Sequence, residues 1–154
     1  MLVLVALSDG QMTLIDQKYY IDVVNAGPWH PDQHGYAQRY IWINKKRTVQ
    51  KLHQFIARFI GITGNIDHKD LDGLNNTEQN LRPATHSQNK MNQRACRNNK
   101  LGVKGVWKEG KKFRVKLIVN GINKYTDSFE TLEEAKEAYC RASIQYHQEY
   151  GRTE

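Results

Sequence analysis

Acidic residues are scarce in this chain. Sixteen Asp and Glu stand against 23 Lys and Arg, giving a formal net charge of +7 and a pI of about 9.4. That imbalance points to a polyanion, most simply nucleic acid. Cysteine is almost missing too. Cys96 and Cys140 stand alone, without a Cys-x-x-Cys, which argues against a zinc knuckle. Both read as reduced thiols of a cytosolic protein. There is no apolar run of bilayer-spanning length. The apolar residues 1–7 are too few and lack a basic flank, so they read as a buried first strand rather than a signal peptide or membrane anchor. Repeats and low-complexity segments are lacking as well. The 154 residues, 25% charged and 39% hydrophobic, fit one ordinary domain or two very small ones.

What is present is unevenly placed. Between Lys90 and Lys116 there are ten Lys or Arg against one acid, Glu109, whereas acids gather in residues 127–154. A basic centre followed by an acidic helix suggests one face made for phosphates. The chain opens with a hairpin, residues 2–7 and 12–15 around Ser8-Asp9-Gly10. Asp16 reads as the N-cap of a helix that ends at Gly27-Pro28. Residues 36–43 and 48–50 form a second hairpin around Asn44-Lys45-Lys46-Arg47, a tip that suits either phosphate contact or plain solvation. Leu52, Phe55, Ile56, Phe59 and Ile60 then mark an amphipathic helix.

The chemistry concentrates in residues 65–92. Ile66 begins a short strand that ends at Asp67-His68. Asp72-Gly73 and Asn75-Asn76 make a tight loop, residues 81–84 return, and Thr85 with Gln88 opens a helix carrying Asn89. A carboxylate and an amide oxygen are hard ligands suited to Mg²⁺, with Mn²⁺ as a substitute. A histidine of near-neutral pKa can take a proton from attacking water. Because neighbouring strand residues point to opposite faces, Asp67 and His68 share a task only if the strand end distorts or metal and water flank the phosphate. On spacing alone, a polar loop with one incidental histidine remains the alternative.

Taken together, Leu52-His53, Asp67-His68-Lys69-Asp70, Asn75-Asn76, Asn80-Leu81-Arg82, Thr85 and Asn89 resemble the HNH homing endonucleases of phages and group I introns, over residues 51–92. The resemblance implies a ββα-metal finger that hydrolyses DNA phosphodiesters with one divalent ion. It makes Asp67 and Asn89 the metal ligands, His68 the general base, and Asn80 the brace of the loop that orients His68. Many members of that family carry histidine where Asn89 stands. His53 reads as a packing or capping residue, and His86, first on its helix, points away.

Beyond a basic link at residues 93–100, residues 103–107, Lys112–Val119 and 122–126 read as three antiparallel strands. The second and third are joined by the hairpin turn Asn120-Gly121. Thr131 and Glu134 form a capping box for a helix running to about Tyr146. Phe113, Val115, Leu117 and Val119 face that helix, leaving Arg114, Lys116 and Ile118 outside. Lys104-Gly105-Val106-Trp107, Lys112-Phe113-Arg114-Val115, Ser128-Phe129-Glu130-Thr131 and Glu134-Ala135 with Ala138-Tyr139 resemble the Apetala-type DNA-binding domain of plant ethylene-response factors, over residues 101–151. The resemblance implies a sheet in the major groove, with Lys104, Trp107, Arg114, Lys116 and Tyr125 at contact positions. Asp127 departs from that pattern, where glycine is usual. The reading is therefore an α+β protein: a nuclease domain over residues 1–92, a basic linker over 93–100 and a DNA reader over 101–154. Double-stranded DNA is the expected partner, with no membrane and no protein partner, and the chain acts as a monomer or weak dimer. A DNA-binding protein or repressor without cleavage activity is the rival. An RNA binder is weaker, because the basic sheet lacks an aromatic pair for stacking bases.

Overall fold

The computed structural model describes residues 1–96 and 98–151. The chain divides into two compact units, Met1–Thr85 and His86–Glu154.

The first unit opens on an antiparallel pair, β1 (Leu2–Ala6) and β2 (Met12–Asp16). A 3-10 turn (Gln17–Tyr19) and helix α1 (Tyr20–Asn25) follow. Asp16 does not cap this helical segment. Its carboxylate instead accepts the Glu78 backbone N–H at 2.8 Å, tying β2 to a distant loop. Next comes a three-stranded sheet in the order β3 (His30–Pro31), β4 (Ala37–Ile43), β5 (Lys46–Lys51). The β4–β5 turn is tighter than the sequence suggests. Asn44 and Lys45 both have positive φ, 49° and 62°, as a two-residue type I′ turn requires. Helix α2 (Leu52–Ala57) is short and delivers Leu52 and Ile56 to the core. There they meet Val5, Leu7, Ile15, Tyr19, Val23, Trp29, Ala37 and Leu81. The last pair in this unit, β6 (Ile66–His68) and β7 (Leu81–Pro83), is antiparallel.

The second unit begins with α3 (His86–Asn92). A sheet of β8 (Val106–Glu109), β9 (Lys112–Val119) and β10 (Ile122–Phe129) follows, with β9 central, and then helix α4 (Leu132–His147). The expected capping box is present: Thr131 accepts from Glu134 N–H, and the Glu134 side chain accepts from Thr131 N–H. Alternation along β9 sends Val115 and Leu117 into a core with Val106, Ala135, Tyr139 and Ala142. Strand β10 runs three residues past Thr126 and contains a bulge between Asn123 and Tyr125. One extra residue there reverses which side chains face out. No helix among the described residues is long and apolar enough to cross a membrane.

The two faces of the second sheet predict opposite mutational costs. Leu117 is fully buried, and Leu117→Ala should cost about 2–5 kcal/mol. Trp107 lies on the open face, and Trp107→Ala should shift the melting midpoint little. Thermal unfolding of the two variants checks this.

Candidate active site

The loop between β6 and β7 is rich in Asp and Asn, whose short side chains bond nearby backbone and so replace regular structure. Asp70 Oδ1 accepts Asp72 N–H at 2.8 Å, and Asp72 Oδ1 accepts Leu74 N–H at 2.9 Å. Asn80 spans the loop. Its Nδ2 donates to Asp70 Oδ1 at 2.9 Å and to the Asn75 carbonyl at 2.7 Å, while its Oδ1 accepts Asp70 N–H at 3.1 Å. Burial disfavours the charged Asp70 carboxylate. The hydrogen bonds from Asp72, Asn75 and Asn80 outweigh that and hold its pKa below the ordinary carboxylate value.

A second set of bonds docks the loop on the first hairpin. Asn76 N–H donates to the Leu14 carbonyl, and Leu14 N–H to the Leu74 carbonyl, both at 2.8 Å. The Thr13 hydroxyl donates to the Leu74 carbonyl at 2.7 Å and accepts Asn76 Nδ2 at 2.9 Å. Asn76 Nδ2 also donates to the Gly73 carbonyl at 3.2 Å. A carbonyl can only accept, so the Asn76 amide is fixed with its oxygen turned the other way, 3.2 Å from His68 Nε2. An amide oxygen is an acceptor as well. His68 Nε2 must therefore carry the proton, which leaves the lone pair on Nδ1.

The His68 ring is buried beside two others. His53 lies edge-on to it at 5.0 Å between centroids, and Tyr36 at 5.5 Å. Burial lowers the pKa of His68, with Asn76, Asp70 and Asp67 pulling the other way. Burial, then the neighbouring His68 and Lys51, takes His53 down to about 3. Both rings are therefore neutral at pH 7.

The neighbouring strand position is occupied differently. Asp67 faces Arg82 in the β6–β7 register, and its Oδ2 accepts both Arg82 Nε at 2.9 Å and Nη2 at 2.7 Å. Strand β6 is regular through His68, so the two side chains leave it on opposite sides, with different partners. Asn80 makes its bonds to Asp70 and Asn75, and the amide that touches His68 is that of Asn76. Asn89 sits half-buried on α3, in the second unit.

Among the described residues, no group of three His, Cys, Asp or Glu could hold a metal ion. Asp67 provides a buried, fixed carboxylate. Such a donor fits a hard cation such as Mg²⁺, which commonly rests on one or two carboxylates and completes its shell with water and phosphate.

On the second unit's sheet, Trp107 and Arg114 are cross-strand neighbours on the outer face, and Arg114 pairs with Glu109 at 2.5 Å. Lys116 lies on the same face beside Thr126. Two expected contact residues sit elsewhere. Lys104 is half-buried, with its ammonium on the carbonyls of Lys90, Met91 and Gln93 at the end of α3, which is a helix-capping arrangement. The bulge pairs Tyr125 with Leu117 and turns it toward the helix side, where it packs on the core.

Asn76 and Arg82 stand within the sequence motif, yet nothing local to them announces a role. Counting the hairpin register outward from the loop does pair Asp67 with Arg82. Thr13, 63 residues from Asn76, carries no local signal.

No family model matches the chain, and no solved structure does. Over 123 residues, 76% of the chain, it is 32% identical to an uncharacterized HNH endonuclease of Acanthamoeba polyphaga mimivirus. The chain spans 61% of that protein's length. That protein's name is that of the family which residues 51–92 resemble.

The buried histidines make stability pH-dependent. Unfolded histidine protonates near 6.5, whereas folded His53 resists down to about 3 and folded His68 titrates below its ordinary value. The stabilisation is complete above pH 6.5 and is lost as pH falls. Denaturant unfolding between pH 6.5 and 5, where ordinary carboxylates stay ionised, should show a decline. His53→Phe should flatten that decline, and an identical slope in the variant would contradict the assignment.

Proposed function

We propose that this chain is a metal-dependent DNA endonuclease of the HNH, homing type, which hydrolyses phosphodiesters of double-stranded DNA. One observation carries the reading. His68 stands at the end of a short strand as a neutral imidazole whose tautomer is set by Asn76, a form ready to accept a proton. In this mechanism His68 Nδ1 takes the proton of the attacking water. Asn76 holds Nε2–H and so keeps the ring in the base form. Asn80 and Asp70 keep the loop, and hence the strand end, rigid. The family resemblance makes Asp67 and Asn89 the residues that would hold the ion; within the first unit, Arg82 fixes the Asp67 carboxylate. When bound, Mg²⁺ supplies positive charge to the transition-state phosphate and the leaving oxygen.

Target selection falls to the second unit, read as an Apetala-type module. Trp107, Arg114 and Lys116 form its open face, where cations and an aromatic ring can follow the backbone and reach base edges. Lys104 and Tyr125 support this face rather than join it. The pairing of Asp67 with Arg82 favours one rival, a DNA-binding protein without cleavage activity, because that carboxylate is already neutralised by a cation.

Incubation with supercoiled plasmid and Mg²⁺ separates the two readings. The wild type should convert plasmid to the nicked form. His68→Ala should lower the rate roughly 10²–10⁴-fold with DNA affinity nearly unchanged. Cleavage by His68→Ala at the wild-type rate, or full activity in excess EDTA, would remove the mechanism.

A further inference from the structure

We propose that the β4–β5 hairpin of the first unit is a second duplex-DNA contact, a cationic ribbon that enters a groove separately from the second unit's sheet. The proposal rests on the reading that duplex DNA is the substrate. It begins from a charge asymmetry in this part of the chain. No Asp or Glu occurs from Gln33 to Ile66, while Arg39, Lys45, Lys46, Arg47, Lys51 and Arg58 lie within that stretch. The preceding acid, Asp32, is already paired with Lys51. Phosphate is the complement of such a surface.

The hairpin is anchored at its base and bare beyond it. Ala37 and Gln50 are buried, and the Arg39 guanidinium lies over the Trp29 and Phe55 rings. Further out the ribbon leaves the core. Tyr40 is 49% exposed, Trp42 72% and Val49 44%, with Ile43 and all three tip cations exposed as well. The type I′ turn keeps the two strands paired through Ile43 and Lys46, so this is a regular ribbon to its end. Cations and rings interleave on one face. Trp42 lies opposite Arg47 in the register, Arg47 stacks on Tyr40 at 3.6 Å, and His30 stacks on the same ring. Exposed apolar surface of this kind marks a contact site. A two-stranded ribbon fits the major groove, about 12 Å wide. A second copy of the chain is a poor occupant, because a self-complementary contact would set the same three cations against each other.

The test uses the full chain in EDTA, so that binding is read without cleavage. The partner is a 30-base-pair duplex, titrated across a salt series. The variants are Lys45→Gln with Lys46→Gln and Arg47→Gln, and separately Trp42→Ala. All four side chains are exposed, and a melting curve verifies that each variant folds. The triple variant should lower the slope of log affinity against log salt by about 2–3, near 0.9 for each phosphate no longer neutralised. Trp42→Ala should weaken binding several-fold with the slope unchanged. If the wild type binds duplex and both folded variants match it in affinity and slope, the hairpin is not a contact, although the nuclease reading stands. If the wild type binds no duplex, that reading falls and the hairpin proposal with it. Tighter binding of single-stranded DNA or RNA that depends on Trp42 would also overturn the proposal, since it would make the ribbon a base-stacking platform.

Discussion

The Asn76 side chain is fully buried, and its amide is used on both sides. The nitrogen donates to Thr13 of the first hairpin and to the Gly73 carbonyl, and the oxygen meets His68. A buried amide left unpaired costs about 1–3 kcal/mol, so these bonds stand or fall together. That coupling makes one residue responsible for three relations. It docks the loop on β2, it closes the turn after Asp72, and it sets which nitrogen of His68 carries the proton. The N-terminal hairpin, which contributes no candidate catalytic residue, thereby helps to fix the state of the candidate base.

Around this tie the site separates two demands. On one side of β6 lies a neutral, aromatic environment of His53, His68 and Tyr36, where burial suppresses positive charge. On the other side Asp67 and Arg82 form a buried ion pair. A buried carboxylate without such a partner would be costly, and Arg82 offsets that cost within the fold. The second unit solves a simpler problem. Its sheet has one apolar face covered by α4 and one open face, and the bulge at β10 decides which side chains belong to each.

Much of this was legible in the sequence, because local signals and pattern agreed. The α+β class, three hairpins, the capping box at Thr131 and the inward face of β9 follow from turn chemistry and period-two alternation. The strand end at Asp67-His68 follows from the turn formers after it, whereas the bracing of the loop by Asn80 was implied by the resemblance over residues 51–92. Three features were not legible. The role of Asn76 depends on Thr13, a contact between distant parts of the chain. The burial of Lys104 depends on the carbonyls at the end of α3. The turning of Tyr125 depends on a single extra residue in β10, and a one-residue slip reverses a strand's faces without leaving a mark in composition.

A neutral, buried His68 acting as the base in DNA hydrolysis leaves its signature in the pH dependence of the reaction. The measurement is the single-turnover rate of plasmid nicking in Mg²⁺ across roughly pH 5 to 9, the range that brackets histidine titration. The expected profile rises through an apparent pKa below the ordinary histidine value and is level through neutrality, the form produced when the free base is the active state. A rate that climbs steadily to the alkaline end with no histidine limb, or no cleavage at any pH, would contradict it.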